Sequence, residues 1–100
     1  MSNFTNLVFI RAKAGRSEDL GKALLSLVAP SRAEDACLSY DVHHSNDDPD
    51  LRMVYENWRS AGDLDGHFAL PHMQAFVARI PDLVEGDLDL RSFTRLSDAA

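Results

Sequence analysis

Three observations predict an α+β fold of the ferredoxin-like type, with one antiparallel sheet of four strands. Strand-like and helical segments alternate as β-α-β-β-α-β; two helical regions suffice to cover only one face of such a sheet; and the first and last strands carry apolar residues on both faces. The uncovered face predicts a homodimer. A monomer of 100 residues would leave it as a large exposed apolar patch, which soluble proteins avoid. A second copy packed sheet to sheet covers it, and C2 symmetry is the commonest way to do so.

The first strand is "TNLVFIRAK", Thr5 to Lys13, where Leu7 and Phe9 face one way and Val8 and Ile10 the other. Ala14-Gly15 turns the chain into a helix with Ser17 as its expected N-cap and Glu18 and Asp19 at the positive end of its dipole. Leu20, Ala23, Leu24, Leu27 and Val28 follow one buried face, and Pro30 ends or kinks the helix, with a further turn over Ser31 to Glu34. Ala36 to Ser45 alternates, with Leu38, Tyr40, Val42 and His44 on one side and Cys37, Ser39, Asp41 and His43 on the other. "NDDPD" turns this strand into Leu51 to Trp58, completing a hairpin. Ser60 with Asp63 resembles a capping box opening a short helix over Ala61 to Phe68. Pro71 suits the first position of a second helical piece with the stripe Met73, Phe76, Val77 and Ile80. The last strand lies in "VEGDLDLRSFTRL", with Leu88 and Leu90 inward and Phe93 on the opposite parity, or with a bulge between them. Residues 1–100 read as one domain with its core over about 5–95 and a short fraying tail, "SDAA".

With 45% hydrophobic and 26% charged residues the chain is an ordinary globular one. A net charge of -6 argues against nucleic acid or an anionic membrane as a partner, since both require a basic surface. The acidic clusters, Glu34-Asp35 among them, read as solvated loops. One cysteine, Cys37, forms no internal disulfide and reads as a buried structural thiol. No export signal or membrane-length apolar run is visible, so the expected location is the cytoplasm.

The residues able to carry chemistry cluster between 56 and 76. His67 and His72 border apolar helical stripes, where a groove meets solvent, and a histidine there either exchanges protons with a ligand or caps a helix. A metal site is not expected: a spacing of five interrupted by Pro71 does not set both rings on one helical face, and His43 and His44 point to opposite sides of a strand. Trp58 either stacks on a flat aromatic ligand or plugs the core. Glu56 shares its side of the strand and needs a partner if buried, with Arg79, Ser60 or a histidine as candidates. Tyr40 and Asn6 offer hydrogen bonds to a ligand, or are ordinary strand residues.

The pattern "ENW-RS-x3-L-x2-H-x3-PHMQAF" resembles the signature of the antibiotic biosynthesis monooxygenase (ABM) family, close to small bacterial quinol monooxygenases. "AKAGRSEDL", "SRAEDACLSY" and "HSNDDP" agree with it. The resemblance implies a homodimer whose sheets form an α/β-barrel, with a pocket between sheet and helices in each protomer. It also implies oxidation of a quinol or phenolic, polyketide-like substrate by O2 as co-substrate, with no flavin, metal or haem. Trp58, His67, Pro71 and His72 are the motif residues, with Glu56 before the tryptophan and Asn6 at a pocket position on the first strand. Ala36 departs from the family's glycine before the cysteine, which implies an altered turn there if that glycine serves a positive φ. On this reading His67 is the base or proton shuttle and His72 a second polar contact, with Trp58, Phe68 and Phe76 as aromatic walls of a small aromatic ligand's pocket. The family is functionally mixed, so a non-catalytic ligand-binding or stress-response dimer and a haem-degrading relative stand as alternatives.

Overall fold

Strand β1 (Phe4–Arg11) pairs antiparallel with both β3 (Leu51–Trp58) and β4 (Asp89–Thr94), and β3 pairs antiparallel with β2 (Cys37–His44), giving the order β2-β3-β1-β4. The structure is a computed structural model and describes residues 3–98. Of the tail expected to fray, Ala99 and Ala100 lie outside the described residues. Helices α1 (Ser17–Leu25), α2 (Val28–Arg32), α3 (Ala61–Phe68) and α4 (Pro71–Leu83) complete the βαββαβ pattern, each helical region being split in two. This is the ferredoxin-like α+β fold.

The alternation predicted for β1 fixes the two faces. Val8 and Ile10 are buried with Val54, Trp58 and Tyr40 beneath the helices, where Leu20, Leu24, Met73, Phe76 and Leu83 meet them. Val8 stands opposite Val54 on one side and Leu90 on the other, while Thr5 stands opposite Asn57 and Phe93. Leu90 therefore shares the helix face and Phe93 the outer one, and no bulge interrupts the β1–β4 register. β4 is shorter than its sequence suggested because Gly86, at φ +72°, turns the chain between an isolated bridge at Val84 and the strand proper.

Three local expectations are corrected. Ser17 does not cap α1: Arg16 occupies the N-cap, and the Ser17 hydroxyl donates to the Pro49 carbonyl at 2.5 Å, tying the helix start to the β2–β3 turn. The first helix does not run through Val28. It ends at Leu25 and resumes as α2, because Pro30 has no N–H to offer the Ser26 carbonyl one turn earlier. In β2 the simple alternation fails at its start, where Cys37 stands opposite Trp58 but Ser39 opposite Asn57. Leu38 is the extra residue of this bulge and is 55% exposed, while Cys37 packs against the core with Tyr40. Ala36 needs no special backbone: no non-glycine residue among those described has a positive φ.

The outer face of the sheet carries no helix. Leu7, Phe9 and Met53 are half-buried there, Tyr55 and Phe93 are exposed, and the Arg91 guanidinium lies 5.5 Å above the Phe9 ring. One polar row crosses it: the Thr5 hydroxyl donates to Asn57 Oδ1 at 2.5 Å, and Asn57 Nδ2 donates to the Ser39 hydroxyl at 2.9 Å.

Candidate active site

Splaying of the helices from the sheet leaves a small apolar cavity of about 40 Å³. It is small beside the ~300–1,000 Å³ typical of small-molecule sites, so a ring-sized ligand requires the helices to part further from the sheet. Its floor is sheet, from Val8, Ile10, Val54, Glu56 and Tyr40. Its walls are Leu24 and Leu27 on one side and Phe68, Met73, Phe76 and Val77 on the other, with Leu88 and Leu90 completing the lining. Among the described residues, Glu56 and Tyr40 are the only titratable side chains in that lining.

Glu56 is 2% exposed. None of the partners expected for it holds it; Trp58, two residues along the same strand face, donates its indole N–H to Glu56 Oε1 at 2.8 Å. Asn6 lies opposite Glu56 on β1, close enough to favour the carboxylate, although its Nδ2 makes no hydrogen bond of regular geometry. Burial outweighs both neighbours and pushes the Glu56 carboxyl up from 4.5 to about 7. Burial, seconded by the Glu56 charge, also raises the Tyr40 phenol well above its ordinary value, so it stays protonated. The site thus pairs a carboxyl poised near neutrality with a phenol that acts only as a neutral hydrogen-bonding group.

The histidines occupy different ground from that expected. His67 is not at the edge of a groove; it is 1% exposed, behind the cavity wall. Its ring packs 4.5 Å from Trp58, 5.4 Å from Phe68 and 5.8 Å from Tyr40, centroid to centroid. Trp58 is fully buried and in direct contact with His67, leaving no ligand-sized gap between them; it plugs the core and orients Glu56 instead of walling the cavity. His72 does reach solvent, with its side chain 20% exposed. Of the eight residues the sequence singled out, Glu56, Tyr40, Phe68 and Phe76 line the cavity, and Asn6, Trp58, His67 and His72 do not.

The missed residue is Glu34, which reads in sequence as part of a solvated acidic loop. It lies between the histidines: its Oε2 is 2.6 Å from His67 Nδ1 and 3.4 Å from His72 Nε2, and the two rings are 5.5 Å apart. Burial lowers the affinity of His67 for a proton and the Glu34 carboxylate opposes that effect, burial prevailing. The two rings lie on separate helices, as the interruption at Pro71 implied, yet they meet at Glu34. Ser60 caps α3, its hydroxyl accepting from the Asp63 N–H at 3.2 Å, and Pro71 opens α4. The bend between these helices folds the end of one onto the start of the other, so residues five apart share a cluster without sharing a helix. Cys37 is half-buried and donates to the Ser39 carbonyl; burial pushes its thiol up to about 11, which keeps it protonated and unreactive.

A buried carboxyl in an apolar cavity between sheet and helices can be set beside known proteins. Residues 3–79 match the model of the antibiotic biosynthesis monooxygenase family. The chain belongs to this family. Among ABM relatives, Rv0793 of Mycobacterium tuberculosis, which bears a provisional monooxygenase name, is 34% identical over 80 residues, covering 79% of this chain and 78% of that protein. The Synechocystis protein sll1783, of uncharacterised function, is 27% identical over 84 residues. That match takes in 84% of this chain but 57% of the Synechocystis protein's length. The crystal structure of PA3566 from Pseudomonas aeruginosa superposes with a TM-score of 0.92 at 33% identity, covering 97% of both chains. The family match and the Rv0793 relative support a monooxygenase-like function. Among the described residues no helix is long and apolar enough to cross a membrane.

Proposed function

We propose that this ABM protein oxidises a small quinol or phenol with O2 inside the apolar cavity, without a flavin, metal or haem in that step. The observation that carries the reading is Glu56: a carboxyl at about 7, buried in an apolar lining and oriented by the Trp58 indole. A general base works best when its affinity for a proton lies near the working pH. Glu56 takes a phenolic proton, and the electron-rich anion, held out of water, reduces O2 and bonds to it at a ring carbon. Cleavage of the O–O bond with loss of the ring proton leaves a hydroxyquinone, and the second oxygen departs as water with the proton Glu56 holds. One quinol and one O2 thus give one hydroxyquinone and one water, the substrate supplying all four electrons. Tyr40 donates to the developing oxyanion, and Phe68 and Phe76 pack against the ring as the helices part to admit it.

The base role considered for His67 passes to Glu56 because His67 is not in the cavity lining; His67 holds the Trp58 ring against which Glu56 is set. A haem-degrading reading gains nothing from the site, since no histidine lines the cavity to serve as an axial ligand. The outer sheet face, with Leu7, Phe9, Met53, Tyr55 and Phe93 uncovered, supports the proposal of a homodimer packed through it, in the manner of a dimeric barrel. A cytoplasmic location is retained as part of the proposal.

Oxygen consumption with a panel of hydroquinones and naphthols, using chelator-treated protein, tests the activity. Turnover is expected with at least one substrate, and Glu56→Gln should lower kcat about 100-fold, the scale of a lost general base. Saturable binding of the same compounds, seen as a rise in Tm with no O2 uptake, would replace this reading with that of a non-catalytic binding protein.

A further inference from the structure

Three side chains from three separate segments converge outside the cavity. Glu34 comes from the α2–β2 connection, His67 from the last turn of α3 and His72 from the first turn of α4. One donor atom from each lies within 4.8 Å of the others. We propose that Glu34, His67 and His72 form a binding site for one divalent first-row transition cation of the zinc class, through the Glu34 carboxylate, His67 Nδ1 and His72 Nε2. Because none of the three lines the cavity, the inference stands apart from the oxidation proposed there.

The donor set suits such an ion: two imidazoles and one carboxylate are borderline ligands that favour zinc-like cations over magnesium or calcium. Spacing agrees as well. Four ligands at about 2.0–2.1 Å in a tetrahedron stand about 3.3 Å from one another. His72 Nε2 already lies 3.4 Å from Glu34 Oε2 and 3.3 Å from the Ser31 hydroxyl, which makes Ser31, or a water, the candidate for the fourth position. The 2.6 Å gap between His67 Nδ1 and Glu34 Oε2 is a hydrogen-bond length. A cation there displaces the shared proton and pushes these two atoms apart by about 0.7 Å, a small side-chain rotation given the tetrahedral spacing above.

Burial adds a second argument. The side chains of His67, Glu34 and His72 are 0%, 16% and 20% exposed, so the pocket is anchored at its inner end and open at its outer one, where an ion can enter. Trp58, Tyr40 and Phe68 pack around the His67 ring and hold its orientation whether or not an ion is present. The ion would staple the α2–β2 connection to both sides of the α3–α4 bend. Those are the segments that support Tyr40 and Phe68 in the cavity lining, so occupancy would stiffen that wall from behind.

Cobalt(II) titration of chelator-stripped full-length protein tests the site, because four-coordinate Co2+ gives visible bands that hexaaqua Co2+ lacks. One equivalent should develop these bands, one equivalent of Zn2+ should bleach them, and Zn2+ should raise Tm in the absence of any substrate. His72→Ala, at a partly exposed position, and Glu34→Gln should each weaken Co2+ binding at least 10-fold with unchanged far-ultraviolet dichroism. A His43→Ala/His44→Ala double variant, which removes the exposed neighbouring pair, should bind as the parent does. Absence of a one-equivalent band, binding retained by the His72 variant, or loss of binding in the His43/His44 variant would overturn the proposal. So would a near-ultraviolet thiolate-to-Co2+ band, which would assign the ion to Cys37.

Discussion

Replacing Glu56 by Gln should make the protein more stable at alkaline pH, even though it removes the one carboxyl of the cavity. In the folded chain burial holds this carboxyl at about 7, against 4.5 for an unperturbed glutamate. Below 4.5 folded and unfolded chains are both protonated here, and the group is neutral in the balance. Between the two values the unfolded chain has released the proton that the folded chain still binds, so stability falls as pH rises; above 7 both are ionised and the loss is complete. At about 1.36 kcal/mol per pH unit the accumulated cost is about 3 kcal/mol. Glu56 is 2% exposed, so solvent screening removes little of it. Glutamine keeps an oxygen to accept the Trp58 indole N–H and never ionises. Urea unfolding of both proteins at one fixed concentration, at pH 4.5 and pH 8.5, should give stabilities within about 1 kcal/mol of each other at the lower pH. At the higher pH the variant should lead by about 3 kcal/mol. Taking the difference between proteins cancels the titration of every other group. A difference that does not change with pH would refute the claim that Glu56 is held protonated near neutrality.

Trp58→Phe removes the indole N–H that favours the Glu56 carboxylate and leaves a void at a fully buried position, and should cost about 2–4 kcal/mol at pH 5. Because the lost donor favoured ionisation, the carboxyl should rise further. The pH above which the stability gap between Trp58→Phe and a Trp58→Phe/Glu56→Gln double variant stops widening should then lie above 7, measurable by the same unfolding series. Phe9→Glu sets a charge in the middle of the uncovered sheet face. Sedimentation at tens of micromolar should show the parent as a dimer and the variant as a monomer, while a monomeric parent would dispose of the proposed assembly.

The sequence made the sheet legible because its strands carry period-two patterns that leave little choice of face: Val8 and Ile10 could be assigned against Leu7 and Phe9 without knowing their neighbours. It made the α3 and α4 starts legible because Ser60 and Pro71 act locally, through a cap bond and a fixed φ. What it hid was set by contacts between distant residues. The Leu38 bulge reverses parity for one residue, and nothing in "ACLSY" announces it. Pro30 acts one turn upstream of itself, so the helix broke earlier than a simple stop at proline suggests. Glu34 and His67 are 33 residues apart, and no spacing rule joins them. For the same reason helical periodicity set His67 at the edge of a stripe, although the α2–β2 connection closes over it. Tyr40, Glu56, Phe68 and Phe76 were readable as candidates, but that these four of the eight line the cavity required the packing.

The row formed by Thr5, Asn57 and Ser39 bears on how the open sheet face can be used. Thr5 and Asn57 are nearly inaccessible, at 8% and 4%, although no helix lies over them, and their hydrogen bonds run across three strands beside the apolar patch of Leu7, Phe9, Met53 and Tyr55. A purely apolar sheet offers a second surface no preferred alignment; it can slide by a strand or turn by some degrees at little cost. A polar line that already satisfies itself acts as a keel. Apolar groups can pack alongside it, but a surface that wedges into it must break bonds that water can no longer replace. The face is therefore adhesive on the side of Leu7, Phe9, Met53 and Tyr55 and resistant along the polar row at its edge, and any sheet laid on it would be guided in direction as well as held.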